Sequence, residues 1–476
     1  MSAHNHFRFF VLSVLAAIVL PQLFREGIFM DGSLYSAVAV NYARGEGTFW
    51  APHFSQITMS FFHEQPPLLF GMLGTCFKIF GEHVLVERFY ALGIFILSLF
   101  VYLSIWKKLF SENGWLIRWR WMAVLIWIII PNTTWVVIHN LEENTMGLFV
   151  LLSVYFQIRA ANSKTGMAYL FSALSGIALF LAFLTKGFPA FFPLVFFPLN
   201  YVFFKKYGTS FRVQLLNFLI LFLVLTLLIV VVFLYEPSAS QLKAWLYERV
   251  LNSISNVSNT AHRFEIVQDL LMQLLPVFLL FPVLMAISKW KKLKKFPVSP
   301  LEKKHAWLFL LMAAAGSLPL MITREQRGFY LATAHPYFAF FFTVIFSPLF
   351  SGLQSEHWSN AVKKISFAGT IIIFVVAFFL MFFLHATPKR DPDKWHDINI
   401  VTSRLSYGSF LAYRGDMWND WELQTGLIRK NYISLTSDTS KTKYLITDAS
   451  QHTKVDENKY REVSLKFQHY KLYLKK

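Results

Sequence analysis

The sequence holds one cysteine, Cys76, in 476 residues. That excludes an internal disulfide framework and any cysteine-based zinc site, and leaves Cys76 as a small apolar filler. Charge is also scarce. Asp, Glu, Lys and Arg make up 15% of the chain, where soluble domains carry roughly 25%. Acids are the rarer sign, 27 against 45 bases. There is no internal repeat, no low-complexity tract and no glycine-rich phosphate loop. These absences exclude a soluble globular enzyme, a disulfide-stapled secreted domain and a P-loop nucleotide site.

What is present is apolar: 55% of residues are hydrophobic and 18% aromatic. A helix needs about 20 apolar residues to cross a bilayer. Such runs are read at 8–25, 84–106, 121–138, 144–160, 167–185, 187–204, 213–235, 268–288, 305–323, 329–350 and 364–385, eleven spans in all. Segment 66–80 (PPLLFGMLGTCFKIF) is short and opens on two prolines, so it reads as an interfacial or re-entrant helix. The run at 8–25 is followed by PQLFREG, a poor cleavage site, and reads as an anchor.

With the N-terminus inside, the basic residues fall where the positive-inside rule places them. Lys107, Lys108, Arg118, Arg120, Lys164, Lys205, Lys206 and Arg212 lie in inner loops, as does KWKKLKKFPVSPLEKK at 289–304. This asymmetry absorbs much of the net charge of +18, which would otherwise suggest nucleic acid. No nucleic-acid partner is expected. The outer face then holds 26–83, 139–143, Lys186, 236–267, 324–328 and all residues after 386. From 386 onward the composition turns polar. KYLITDA (443–449) and VSLKFQHYKLYL (463–474) read as strands, with turns at Gly408 and at GDMWNDW (415–421). The expected organisation is a mostly α, polytopic membrane helix bundle over 1–385, with amphipathic helices in the outer loop 26–83, and a small soluble α/β domain over 386–476.

The unusual polar residues gather on the outer face. Asp31 in MDGSLYSAVAVNYA stands where it could cap a helix running from about 32 to 44. HNLEENTMGLF (139–149) puts Glu142 and Glu143 in a short outer turn, where they could support a helix dipole or face Asp31 across a cavity. Two carboxylates around one pocket suit glycosyl transfer, one accepting a proton and one positioning the nucleophile or a cation. FFHEQPPLLF carries His63 and Glu64. With His262 of the other long outer loop they could ligate a divalent cation such as zinc or manganese, though surface polarity on a wet loop explains them more simply. Lys186 in LAFLTKGFPAFFPL, and Arg324 and Arg327 in TREQRGFYLATAHPYF, are cations on the side the topology rule leaves poor in them. They could contact lipid headgroups or helix ends, or hold a lipid phosphate. Acids and bases together at outer helix mouths fit transfer of a sugar from a lipid phosphate.

At this point the chain resembles the polytopic GT-C glycosyltransferases, in the bacterial branch related to protein O-mannosyltransferases and the lipid A aminoarabinose transferase. The resemblance rests on Asp31 with Tyr35, HEQPPL (63–68), LEENTMGLF (141–149), LAFLTKG (181–187), AHRF (261–264) and RGFYLATAHPYFAFF (327–341). It implies a bundle of about 11–13 membrane helices with extracytoplasmic juxtamembrane helices. It implies a multi-pass protein of the bacterial inner membrane whose site faces the periplasm. The activity implied is inverting transfer from a polyprenyl-phosphate sugar to a lipid, glycan or protein acceptor, without a nucleotide cofactor. By the same resemblance Asp31 is the catalytic base and Glu143, or its neighbour Glu142, the second acid. Tyr35, Gln65, Lys186, Arg263, Arg324, Arg327 and Tyr330 bind substrate. Glu64 and His262 match positions that can hold a divalent metal, whether zinc, magnesium or manganese, and His63 is the further candidate ligand beside them. Gln65 departs from the lysine usual there, and Glu143 stands for an aspartate. A transporter or flippase of lipid-linked sugars, or a non-catalytic binder, are the other classes these features allow. A transporter would more often show inverted repeats and charges at mid-membrane.

Overall fold

The computed structural model describes residues 3–25, 27–252, 262–290, 297–323, 325–353, 359–385, 387–388, 390–451 and 453–476. They form two units. One comprises Met1–Pro21, Ala91–Ile138 and Glu142–Leu380; the other comprises Gln22–Tyr90, His139–Leu141 and Met381–Lys476.

The first unit is helical. Among the described residues, eight helices of the chain are long and apolar enough to cross a membrane: His6–Leu23, Val84–Phe110, Thr165–Lys186, Phe188–Tyr207, Phe211–Leu234, Glu265–Lys289, Pro300–Ile322 and Asn360–Leu384. The other three of the eleven expected spans are helical in a different form. The run at 121–138 is two helices, Arg120–Ile128 and Pro131–Ile138, bent by 71° where Pro131 interrupts the hydrogen-bond ladder. The helix at Glu142–Ala161 opens on two buried acids. The run at 329–350 begins as a 3-10 turn, Gly328–Thr333, before the shorter helix His335–Phe346.

Two of these helices, Glu142–Ala161 and Thr165–Lys186, are antiparallel neighbours joined by a tight turn, and they position the candidate site. Ser153 and Ser175 meet hydroxyl to hydroxyl at 2.7 Å, and Gln157 donates to Ser153. Phe156 stacks on Phe171 at 6.2 Å. Gly176 lets Phe211–Leu234 approach so closely that a Cβ there would meet the Leu221 carbonyl oxygen. Small residues and hydroxyl pairs of this kind hold helices together where lipid offers no hydrophobic drive.

The second unit pairs the outer loop with the C-terminal segment. Its helix Met30–Arg44 packs through Ala39 and Val40 on Leu73 and Phe77 of Leu68–Phe80, the short apolar helix expected at the interface. Two short strands, β1 (Gly47–Thr48) and β2 (Ala51–Pro52), pair antiparallel in the intervening loop. The C-terminal sheet has five strands: β3 (Phe410–Tyr413), β4 (Ser434–Thr436), β5 (Tyr444–Asp448), β6 (Tyr460–Glu462) and β7 (Tyr470–Lys475). They lie in the order β4-β3-β5-β7-β6. β3 is parallel to β4 and β5, with Ala412 opposite Leu445; β7 runs antiparallel to β5 and β6, with Ile446 opposite Leu472. The helix Trp421–Asn431 makes the crossover from β3 to β4 that a parallel pair requires. Helices Pro392–Arg404 and Trp421–Asn431 bury Trp395, Ile398, Leu423 and Leu427 against Leu411, Ile446 and Leu472. Asp397, fully buried, accepts the backbone N–H groups of Gln468, His469 and Tyr470 at 2.7–2.9 Å and so fixes the start of β7.

Candidate active site

In the first unit, Glu142 and Glu143 occupy the first turn of their helix, where the positive end of the dipole favours acids. Lys186 occupies the last turn of the antiparallel neighbour, where the negative end favours a cation. The two ends coincide. Lys186 Nζ lies 2.8 Å from Glu143 Oε1 and 3.4 Å from Glu142 Oε2. All three side chains are buried, at 9% exposure for Lys186 and 0–1% for the acids. Two carboxylates share one ammonium here. Three charges removed from water hold only if they compensate one another.

Tyr330, in the Gly328–Thr333 turn, closes one side, with Lys186 Nζ 4.8 Å from its ring centre. Gln273 Nε2 donates to the Gly328 carbonyl at 2.9 Å and anchors that turn. Gly187 follows Lys186 with φ 83°, and a side chain there would collide with the Trp245 ring. Trp245 opens a π-helical turn, Trp245–Leu251, a form common at functional sites. The same turn carries Arg249, whose Nη2 pairs with Glu325 Oε1 at 2.7 Å. Gln326 donates to the Arg263 and Thr323 carbonyls and accepts from the Ile266 N–H, which ties the loop of Arg263 to the loop of Arg327. Arg263 and Arg327 are themselves exposed. Arg324 lies outside the described residues.

In the second unit, Asp31 sits inside the first turn of Met30–Arg44. The N-cap position belongs to Phe29, so Asp31 is not the helix cap the sequence allowed. The peptide His139–Leu141 holds this helix start. His139 Nδ1 accepts the Phe29 N–H at 2.9 Å, Asn140 donates to Ser36, and Gly32 lies so close to the His139 carbonyl that no Cβ fits. Tyr35 is buried one turn on, 5.9 Å from the Phe70 ring. His63, Glu64 and Gln65 are partly buried in the loop before Leu68–Phe80, and His63 Nδ1 lies 2.9 Å from the Phe61 carbonyl. Among the described residues no three His, Cys, Asp or Glu side chains are grouped to hold a metal ion, so His63, Glu64 and His262 form no such cluster.

The sequence singled out Glu142, Glu143, Lys186 and Tyr330, and the structure gathers those four. It did not single out Arg249 or Glu325. Arg249 lies in KAWLYERV within the outer loop 236–267, and Glu325 lies between Arg324 and Arg327 in TREQRGFYLATAHPYF.

No family model matches the sequence, and no curated protein sequence matches it. Solved structures do match by fold. ArnT from Cupriavidus metallidurans aligns over 98% of this chain and 96% of its own in the apo state, with 12% identity and a TM-score of 0.67. The same protein bound to undecaprenyl phosphate aligns over 98% and 97%, again at 12% identity and 0.67. The apo oligosaccharyltransferase of Archaeoglobus fulgidus aligns over 93% of this chain and 69% of its own, with 10% identity and a TM-score of 0.56. The fold is the GT-C fold, in a multi-pass integral membrane protein.

Proposed function

We propose that the protein is a GT-C glycosyltransferase that moves a sugar from a polyprenyl-phosphate-linked donor to a hydroxyl or phosphate of a lipid, glycan or protein acceptor. The transfer takes place on the extracytoplasmic face and inverts the sugar's configuration. The observation that carries this reading is the buried Glu142–Glu143–Lys186 cluster beside Tyr330, in a fold whose solved neighbour is seen with undecaprenyl phosphate.

Asp31 is the base that takes the proton from the acceptor. The peptide that holds its helix start, His139–Leu141, ends one residue before Glu142 in the chain. Glu143 is the second acid. Lys186 is engaged by two carboxylates, so its first task is to hold them in place and offer its remaining N–H to the sugar or phosphate. The exposed Arg263 and Arg327 suit the donor phosphate, with Arg324 beside them in sequence, since guanidinium groups match phosphate oxygens in pairs. Tyr35, Tyr330 and Gln65 face substrate hydroxyls. Breaking the bond between the anomeric carbon and phosphate leaves charge on the phosphate, which these cations stabilise. The acceptor hydroxyl loses its proton to Asp31 as its oxygen bonds to the anomeric carbon. Every step is assigned to the chain's own side chains.

The test is Asp31→Asn in detergent-purified protein given native membrane lipid extract. Sugar transfer should fall by roughly three orders of magnitude, in the range that loss of an essential acid–base group produces. Co-purifying polyprenyl phosphate, read by mass spectrometry, should persist. Undiminished turnover would rule out Asp31 as the base. A variant that still moves lipid-linked sugar across vesicles, with no transfer by the parent protein, would favour a transporter.

A further inference from the structure

Beside Glu143 lies a small cavity of about 20 Å³, lined among others by Trp127, Thr133, Asn144, Gly147 and Thr333. A water molecule needs roughly 10–15 Å³ of such space and two to four polar partners. The lining supplies them. Lys186 engages Glu143 Oε1, while no hydrogen-bond donor among the described residues reaches Oε2. The indole Nε1–H of Trp127, buried at 5% exposure, has no acceptor among them. Thr133 Oγ1 lies 3.0 Å from Nδ1 of His335, a fully buried histidine whose Nε2 also lacks a partner. Asn144 donates one of its amide hydrogens to the Ala91 carbonyl at 2.8 Å, which fixes its side chain beside the cavity. Dry cavities are lined by hydrocarbon. This one places an open donor and an open carboxylate oxygen on its walls.

We propose that the cavity is a built water site, and that its water sets the orientation of the Glu143 carboxylate. The water accepts from Trp127 Nε1–H and donates to Glu143 Oε2, and its second hydrogen goes to the hydroxyl of Thr133 or Thr333. The Thr133–His335 pair fixes the Thr133 rotamer from behind. Trp127, Thr133 and His335 are thus positioning residues. They hold one carboxylate oxygen so that the other faces Lys186. This inference rests on the reading of Glu143 as the second acid of the site.

Gly147→Ala gives the sharpest test. A Cβ at Gly147 would meet only the Thr333 methyl, at an ordinary 3.8 Å, and Ala is favoured over Gly within a helix. If the cavity were dry, the new methyl would fill a void and raise the melting temperature. It would leave turnover and the Glu143 carboxylate infrared band, assigned by subtracting Glu143→Gln, where they were. With a water site the same methyl expels the water. The band then shifts, the melting temperature stays level or falls, and kcat drops roughly ten- to hundred-fold with KM little changed, the scale of a lost hydrogen bond to a charged group. Thr133→Val should shift the band in the same way and Thr133→Ser should restore it, which keeps the test decisive if Gly147→Ala does not accumulate. The band is read without any sugar donor. A shift in a protein that transfers no sugar would sink the proposed activity and keep the water site. An unmoved band with a raised melting temperature would sink the water site alone.

Discussion

Two ionic clusters in this chain, one buried throughout and one with a half-exposed acid, are built on opposite plans. In the membrane unit one ammonium answers two carboxylates, and a Glu143 oxygen faces a cavity. In the other unit each acid has its own guanidinium. Arg429 pairs with Glu87 at 3.3 Å and donates to the Glu82 carbonyl. Arg44 pairs with Glu82 at 2.6 Å, and its remaining N–H groups cap the carbonyls of Ile428, Arg429 and Lys430 at the end of Trp421–Asn431. The second cluster is matched in charge and directed at backbone, which is how a polar network stabilises a fold. The first leaves a buried Glu143 oxygen with open hydrogen-bonding capacity among the described residues, which a fold has no use for and a reaction does. The lesson is that burial alone does not mark a site. The mismatch between a buried charge and its partners does.

The comparison can be broken by mutation, and the expected effects rank clearly. Lys186→Met should be the most damaging. It leaves two adjacent carboxylates buried with their shared cation gone, a loss of about 3–5 kcal/mol by the rule for broken buried pairs, and it should abolish turnover as well. Thermal unfolding and a transfer assay on the surviving folded fraction would separate the two losses. Arg429→Ala removes the partner of buried Glu87 and should also cost about 3 kcal/mol, but the folded fraction should keep its turnover per molecule. Asp397→Ala deprives three backbone donors at β7 of their acceptor and should lower stability by about 2–3 kcal/mol, again with chemistry intact. Arg44→Gln is the mildest. Its partner Glu82 is 42% exposed, and the pair itself should contribute under about 1 kcal/mol. A drop in turnover per folded molecule in either arginine variant would blur the line drawn between the clusters.

Much of this was legible in the residues, for physical reasons. Apolar runs announced the membrane helices because lipid allows little else there. β5 and β7 appeared where KYLITDA and VSLKFQHYKLYL alternate or crowd β-formers. Glu142, Glu143 and Lys186 stood out because charge beside a span is costly. Other features were hidden because they depend on tertiary contacts. The break between Ile128 and Pro131 looked like continuous hydrophobicity. Asp31 looked like a cap because Asp favours caps, whereas the turn at His139–Leu141 holds a helix start two positions earlier than that reading needs. Arg249 and Glu325 lie 76 residues apart, so no local pattern could join them. The pairing of Gln22–Tyr90 with the C-terminal segment in one unit was equally invisible, since nothing in the composition of either segment names the other. His335 lies inside the run read as the span 329–350, and only its contact with Thr133 sets it apart.

The most direct measurement sets Glu143→Gln beside Glu87→Gln, an isosteric loss of one negative charge in each cluster, and records melting temperature and sugar transfer per folded molecule for both. The account predicts that Glu143→Gln abolishes transfer with little loss of melting temperature. Glu87→Gln should lower the melting temperature and leave transfer per folded molecule unchanged. Transfer that survives Glu143→Gln, or that disappears with Glu87→Gln in protein still folded, would contradict it.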